Sequence, residues 1–345
     1  MEAADGTTRT RAPRRVVMSD VGRLAGVSHQ TVSRVVNGSP HVRTETRERV
    51  LAAMEELGYR PNPVARALAT GRSNTLGVVS FDTTLYGPAS TLYGIERAAH
   101  DAGYFIIIAS LKSLDRSSVI DAVERLRFRG VDGILVIAPQ EDAVDALLHT
   151  PPGIPLVAVE AGPEDTVPVV AVDQFAGAVL ATRHLLELGH RTVWQIAGPR
   201  DFIEGQQRVE GWRHTLRAAG AEPPAPLFGD WSARAGYEHG RALGGDPAVT
   251  AIFAANDQMA LGVLRALHEA GREIPAQVSV VGFDDIPEAP YLMPPLTTVR
   301  QDFDEVGSRS LHLLLARIET GERVAGGSLV QPELIVRAST SVAPR

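Results

Sequence analysis

The residues best suited to chemistry fall into two groups far apart in the chain. The first is the stretch Gly26-Val27-Ser28-His29-Gln30-Thr31-Val32-Ser33-Arg34-Val35-Val36-Asn37. Read as a turn followed by a helix, it turns Val32, Val35 and Val36 inward and leaves His29, Gln30, Ser33, Arg34 and Asn37 outward. Glutamine can bond adenine bidentately and arginine can bond guanine, which is what reading the DNA major groove requires. An ordinary amphipathic surface helix would show the same pattern, so the pattern alone leaves both readings open. The second group lies at the ends of apolar runs. Asn256 and Asp257 follow Ala251–Ala255, Asp284 and Asp285 follow Val278–Phe283, and Glu160 follows Leu156–Val159.

Carboxylate, amide and guanidinium groups beside an aromatic face suit a sugar, whose hydroxyls need directional hydrogen bonds and whose C–H face packs on an indole. Trp231 could be that face, or it could be core. Paired carboxylates could serve general acid–base catalysis. Short Asp-Asp runs more often cap helices or turns, and no nucleophile accompanies these. The sequence contains no G-x-S-x-G elbow, phosphate-binding loop or G-x-G-x-x-G fingerprint. Its 10 histidines never come closer than six positions apart, so no helical i, i+4 metal pair exists. The expectation is no catalytic residue, no metal site and no cofactor.

Around the first group, three short helices are expected. The first spans Met18 to Ala25 and stops at Gly26. The second spans His29 to Asn37, with Ser28 as its N-cap. The third is capped by Thr44, carries Val50, Leu51, Met54 and Leu57 at helical spacing, and ends at Gly58. From Asn74 onward, strands and helices alternate. Apolar runs at Leu76–Val79, Phe105–Ala109, Ile134–Ile137 and Leu156–Val159, then at Val193–Ala197, Ile252–Ala254 and Val278–Phe283, predict βαβ units and parallel sheets. Gly103, Gly189, Gly220 and Gly271 each sit just past a helical pattern, where a left-handed C-cap suits glycine. Two similar α/β lobes with a cleft between them are the economical reading, and such clefts favour ligands.

Composition sets further bounds. A chain of 345 residues, 44% hydrophobic, can build more than one core. Cysteine is absent, which excludes disulfides and thiolate chemistry and points to no oxidising compartment. Arg9, Arg11, Arg14 and Arg15 precede no apolar run of signal-peptide type, and nothing approaches the ~18 apolar residues of a membrane span. A soluble protein with a disordered, basic tail over residues 1–15 is expected. The net charge of -7 hides an asymmetry: residues 1–72 hold 12 arginines against 7 acidic residues, and the rest carries an acidic excess of 12. A basic head on an acidic body suggests that the head meets a polyanion, although a charge run can be mere solvated surface.

The segment DVGRLAGVSHQTVSRVVNGSPHVRTETRERVLAAMEELGYRPNPVARALATGRSNTLGVV closely resembles the headpiece of the lactose-repressor (LacI-type) family of bacterial transcription factors. Further matches, GDWSARAGY, AANDQMALGVLRAL, VSVVGFDD and PPLTTVRQDF, extend the likeness over nearly the whole chain and are nearest to the lactose-responsive type. The resemblance implies an all-α helix-turn-helix headpiece plus hinge helix, followed by two Rossmann-like parallel α/β lobes of the periplasmic-binding-protein type. It implies that Ser28 to Asn37 form the recognition helix, with His29, Gln30 and Arg34 reading bases. Thr31, Ser33 and Asn37 would serve phosphates or packing. In Pro61–Thr70, Asn62 can N-cap and Pro63 suits the first helical position. The family's hinge helix maps there, with Leu68 as the residue wedged into the minor groove. For the effector, the resemblance implies Arg208, Asn256 and Asp284 bonding sugar hydroxyls and Trp231 packing on the ring. Gln301 and Phe303 would lie on the cleft floor, with Phe81 and Glu160 completing the set.

Some residues depart from the family pattern. Val17 stands where the family has a threonine N-cap, and Gly22 replaces an alanine inside the first helix; each would cost about 1 kcal/mol. Glu160 replaces an aspartate, and Asp201–Gln207 is bulkier than its counterpart. The expected organisation is a tail over 1–15, a DNA-binding domain over 16–60, a hinge helix and linker over 61–73, and an effector domain over 74–345. Lobe 1 would comprise about 74–171 and 301–329, and lobe 2 about 172–300 and 330–345. The chain ends soon after an expected strand Leu334–Ala338 without a leucine-heptad tail, so a homodimer is expected. The reading is a cytoplasmic, nucleoid-associated repressor that binds a pseudo-palindromic double-stranded operator and is released by a β-galactoside or related glycoside, with no membrane partner. The alternatives are another effector, whether a different sugar or a purine-like corepressor, or a sugar-binding protein with no DNA role. A transporter's solute-binding protein would lack residues 18–70, and an enzyme would need a nucleophile, metal set or phosphate cradle.

Overall fold

The structure, a computed structural model, describes residues 16–60, 67, 71–111, 115–150, 153–161, 167–321 and 327–344. The expected tail over 1–15, together with Asn62 and Leu68 of the expected hinge, lies outside the described residues. The chain divides into two compact units, Met1–Ser73 and Asn74–Arg345. Among the described residues no helix is long and apolar enough to cross a membrane.

The first unit contains α1 (Met18–Ala25), α2 (His29–Val36) and α3 (Thr44–Glu56). Val21, Ala25, Val32, Val35, Val50, Ala53 and Tyr59 form its core. Gly26 ends α1 in the left-handed region at φ 68°, and the Ser28 hydroxyl accepts the Thr31 N–H at 3.1 Å to cap α2. Three local expectations need correction. Thr44 is the first helical residue rather than the cap, and Arg43 precedes it without a side-chain capping bond. Leu51 is half exposed, and Ala53 is buried in its place, so the inward row is Val50, Ala53, Met54 and Leu57. Gly22 is no mere defect, because a Cβ there would stand 2.9 Å from the Val27 carbonyl oxygen. The chain leaving α1 passes too close for alanine without some shift. At Val17, the Asp20 carboxylate accepts the Val17 N–H at 3.1 Å, supplying part of a cap that valine cannot.

The second unit holds two six-stranded sheets. The first contains β1 (Thr75–Phe81), β2 (Phe105–Leu111), β3 (Gly133–Ile137), β4 (Leu156–Val159), β5 (Val169–Val172) and β11 (Ser328–Val330). Their order is β11-β5-β4-β3-β1-β2, and every pairing is parallel. The second contains β6 (Trp194–Ala197), β7 (Leu227–Phe228), β8 (Ala251–Ala254), β9 (Ser279–Asp284), β10 (Thr297–Arg300) and β12 (Glu333–Ile335), in the order β12-β10-β9-β8-β6-β7. Here β12 runs antiparallel to β10. It also starts earlier and is shorter than the expected strand Leu334–Ala338, since Arg337 bonds back to Leu296 and Asp285 through its side chain instead.

Helices cover both faces of each sheet, which is why the central strands read as unbroken apolar runs. On the first sheet, α4 (Tyr86–Asp101) and α11 (Phe303–Thr320) pack on one face, and α5 (Arg116–Phe128) and α6 (Glu141–Leu148) on the other. On the second, α9 (Ala233–Gly244) and α10 (Asp257–Glu269) oppose α7 (Gln174–Glu187) and α8 (Ile203–Ala218). The chain crosses between lobes three times: between β5 and α7, between β10 and α11, and between β11 and β12. In each sheet one strand, β1 or β6, is followed by neighbours on opposite sides. That reversal opens a crevice beyond the strand ends, where ligands of open α/β sheets bind.

Helices α4 and α11 meet backbone to backbone at Gly94 and Gly307. A Cβ on Gly307 would fall onto the Gly94 and Ile95 backbone, and one on Gly94 onto Phe303. This crossing fixes Phe303 and Tyr86, whose rings meet edge to face at 6.0 Å. Gly307→Val is expected to destabilise the second unit by about 1–3 kcal/mol. Urea unfolding would show a lower midpoint, and an unchanged midpoint would refute the close crossing.

Candidate functional site

In the first unit, α2 presents one polar face. His29, Gln30, Arg34 and Asn37 are exposed, and Thr31 and Ser33 are partly so. Ser28 shares a hydrogen bond with Thr31 at 2.9 Å, and Asn37 donates to Ser33 at 3.4 Å. The side chains of His29, Gln30 and Arg34 make no hydrogen bond or ion pair with any described residue. Three side chains are therefore held on a short helix, pinned from below by Val32 and Val35, with no described residue to satisfy them. The loop after α2 is fastened by Arg47 of α3, which donates to the Ser39 carbonyl at 2.6 Å.

In the second unit a cavity of about 220 Å³ opens at both crevices at once. Thr84–Pro88, following β1, form one wall. Phe202, Glu204 and Arg208, following β6, and Asn256, following β8, form the other, together with Asp230, Trp231, Gln258 and Asp284. Of the effector residues expected from sequence, Arg208, Trp231, Asn256 and Asp284 line this cavity. Phe81, Glu160, Gln301 and Phe303 do not; Phe81 packs against the cores of both lobes, and Phe303 packs on Tyr86.

Arg208 organises the site. It is 1% exposed, and each nitrogen faces a protein acceptor. Its Nε donates to Gln174 Oε1 at 2.9 Å, one Nη donates to the Ala255 carbonyl, and the other to Glu204 Oε2 at 3.3 Å. The guanidinium lies 3.8 Å from the Phe283 ring centroid and 3.8 Å from Asp284 Oδ1. Gln174 Nε2 donates to Gln301 Oε1 at 2.8 Å, and Gln301 Nε2 donates to Asp284 Oδ1 at 2.7 Å. Arg208, Gln174, Gln301 and Asp284 thus close a ring of buried side chains. Gln174 and Gln301 stand at two of the three crossings between lobes, so the ring ties the cavity to the hinge.

Trp231 is held by a backbone that a bulky residue rarely adopts, at φ 69°, which marks a position fixed by its surroundings. Its ring fills the space left by the bare backbones of Gly198 and Gly205 and meets Phe202 edge to face at 5.8 Å. Asn256 Nδ2 donates to the Trp231 carbonyl at 3.0 Å, while Asn256 Oδ1 accepts the Met259 N–H at 2.9 Å as the α10 cap. Asn256 therefore positions the indole as well as lining the cavity. Glu160 and Asp284 also have positive φ, 56° and 112°.

The carboxylates divide by environment. Asp285 is paired with Arg300 and Arg337 at 2.7 and 2.6 Å, and Asp257 accepts from Thr298 and the Ile286 N–H at 2.6 and 2.9 Å. Both support the β9–β10 end rather than the cavity. Burial pushes the Asp257 carboxyl up to about 7. Burial also raises Asp284 well above the usual carboxylate range, with Arg208 opposing it. Asp230 is held below that range by hydrogen bonds from Ser232. Glu160 is pushed up to about 8, first by burial and then by the charge of Glu204. Its Oε2 accepts the Val172 N–H at 3.4 Å, and its Oε1 is buried with no hydrogen-bond partner among the described residues. Glu204 and Asp230 escaped sequence reasoning. The Glu204–Arg208 spacing of four on one helix was a usable signal.

The lobes also meet where Gln140 Nε2 donates to Asp201 Oδ2 at 2.8 Å and the Ile203 N–H donates to the Pro139 carbonyl at 2.9 Å. Among the described residues no cluster of three or more metal-ligating side chains occurs.

Residues 17–62 match a family described as bacterial regulatory proteins, lacI family, and residues 182–340 match a periplasmic binding protein-like domain. The chain is 36% identical over 334 residues to the lactose operon repressor of Escherichia coli (strain K12), covering 95% of this chain and 91% of that one. A solved lac repressor dimer bound to operator and the anti-inducer ONPF superposes with a TM-score of 0.84 at 34% identity, covering 95% of this chain and 100% of that chain. A complex of the transcriptional regulator CelR with cellobiose gives 0.70 at 34% identity, covering 94% and 100%.

A raised carboxyl pKa means that the folded state holds a proton that the unfolded chain has lost. Its stabilising effect is complete below the ordinary value of 4.5 and is lost as pH rises to about 8. The second unit is therefore expected to melt at a lower temperature at pH 8.5 than at pH 5.5, with Glu160→Gln flattening that fall. An unchanged pH slope in the variant would show that Glu160 is not held protonated.

Proposed function

The chain belongs to the lacI family of bacterial regulatory proteins, and on that premise we propose that it is a sugar-released transcriptional repressor acting as a homodimer. Residues 16–60 form its DNA-binding domain, 61–73 its hinge and linker, and 74–345 its effector domain. The observation that carries the reading is the outward face of α2. His29, Gln30 and Arg34 stand free over a valine floor, and unsatisfied side chains so fixed are matched to base edges. Ser28, Thr31, Ser33 and Asn37 serve the adjoining backbone or phosphates, and Asn62 and Leu68 belong to the hinge contact.

The effector is a small sugar, a β-galactoside or related glycoside. Trp231 offers the apolar face, and Asp284, Asn256 and Arg208 offer hydrogen-bonding groups around it. Gln301 fixes Asp284, Phe303 fixes Tyr86, and Glu160 and Phe81 stand behind the wall. Support comes from two solved relatives, a lac repressor bound to the anti-inducer ONPF and CelR bound to cellobiose. The two differ in ligand, so the panel tested should contain galactosides and cellobiose. A second copy of the chain is the partner for the apolar surface left bare on β2 and α4, where Phe105 is 77%, Ile108 50% and Tyr93 61% exposed. Sugar and operator then weaken each other reciprocally.

Mobility-shift titrations with lactose, isopropyl β-thiogalactoside and cellobiose test the release. One of them is expected to lower operator affinity at fixed salt, and no change with any of them would remove the inducer assignment. Arg34→Ala is expected to reduce discrimination at one base position by about 1–3 kcal/mol. Equal losses on specific and random duplexes would show that Arg34 touches only phosphate. Ile108→Arg is expected to shift the sedimenting species toward monomer, whereas an undisturbed dimer would place the interface elsewhere.

A further inference from the structure

The cavity is rich in carboxyl groups. Glu204, Asp230 and Asp284 line it, and among the described lining residues Arg208 is the one cation. Glu160, buried beyond the wall, adds a fourth carboxyl close enough for its ionisation to respond to Glu204 and Arg208. Arg208 cannot act as a free anion receptor, because three of its five N–H groups are engaged by Gln174, Ala255 and Glu204, and its charge is met by Glu204 and by Asp284 beside it. The site therefore offers carboxyl acceptors and no unpaired cation. An effector that brings hydroxyl or ammonium donors is matched, and one that brings a phosphate or carboxylate is opposed.

Glu204 is the residue that tips this balance. It lies in the first turn of α8, four residues before Arg208. One of its oxygens is on the Arg208 guanidinium, and the other has no partner among the described residues. Its side chain is 15% exposed, in a residue that lines the cavity. A carboxyl placed there only to pair with Arg208 would not need to be at the cavity surface, since Asp284 and Gln174 already hold the guanidinium from its other sides. Burial raises its pKa against the pull of Arg208, so the position is an unfavourable one for a charge that no ligand uses.

We propose that Glu204 is a specificity-determining residue of the cleft: it keeps one oxygen on Arg208 and presents the other to a hydroxyl of the effector, so that phosphorylated and carboxylated sugars are rejected. Asp230 and Asp284 act in the same sense from the facing loop and strand end. The inference rests on the effector reading given above and narrows it to uncharged or amine-bearing sugars.

Calorimetric titration of the full-length protein with matched ligands tests this. The neutral probes are methyl β-galactoside and methyl β-glucoside, the anionic ones the 6-phosphates and uronates of galactose and glucose, and the cationic ones galactosamine and glucosamine. For whichever ring binds, the anionic forms are expected to bind at least roughly a hundredfold more weakly than the neutral one, because a desolvated anion there meets carboxyl groups and no cation free to pair with it. The amine is expected to bind at least as well as the neutral sugar. Glu204→Gln is expected to weaken neutral and anionic sugars unequally and so narrow the neutral-to-anion ratio by about tenfold or more, and Glu204→Asp is expected to restore part of the ratio. A purely structural Glu204 would weaken all ligands alike and leave the ratio unmoved, which would overturn the proposal. Wild-type protein binding a phosphate ester as tightly as the neutral sugar would overturn it too, while leaving a sugar effector standing. Binding of the anionic forms alone would overturn both.

Discussion

A guanidinium buried to 1% exposure must be surrounded by acceptors, and in this protein that requirement shapes the cleft. Arg208 cannot be left unpaired, because an uncompensated buried charge costs about 3–5 kcal/mol. Gln174, the Ala255 carbonyl, Glu204 and Asp284 answer it, and Gln301 completes the ring through Asp284. Those groups come from α7, the end of β8, α8, the end of β9 and the segment before α11. One charge therefore fixes the relative placement of five pieces of chain.

The consequence reaches beyond the cavity. Gln174 and Gln301 sit where the chain passes between lobes, so any ligand that alters the Arg208–Asp284 relation bears on the hinge with no intervening flexible side chain. Trp231, locked at positive φ and fastened through Asn256, gives the same wall further rigidity. A site of this kind is preorganised: the polar groups are already oriented by one another, and a ligand has to displace few of them.

Much of the fold was legible because its signals are local. Continuous apolar runs bounded by glycines gave the central strands, and Ser28 and Gly26 gave the turn before α2. Where a residue's role depended on a neighbour distant in sequence, local pattern failed. Leu51 carries the right residue type at a plausible spacing, yet the headpiece core takes Ala53. Gly22 reads as a helix weakness until the Val27 carbonyl is seen against it. The early end of β12, beyond which Arg337 reaches Asp285, is encoded by no periodicity.

The site shows the same division. Arg208, Trp231, Asn256 and Asp284 lie at strand ends or helix starts, where α/β topology converges, and were readable from position and resemblance. Glu204 and Asp230 are ordinary acidic residues on a surface-like helix start and a loop, and only the cavity makes them notable. The distinction between lining residues and those behind them, such as Gln301 and Phe303, also requires coordinates. The most direct measurement of the ring's importance is affinity for the proposed sugar effector in Gln174→Leu, a residue that does not line the cavity. Loss of its two hydrogen bonds leaves Arg208 and Gln301 each short of a partner, and affinity, measured well below the variant's own lower melting temperature, is expected to fall by roughly tenfold or more. Wild-type affinity in that variant would contradict the claim that the ring holds the cleft in its binding form.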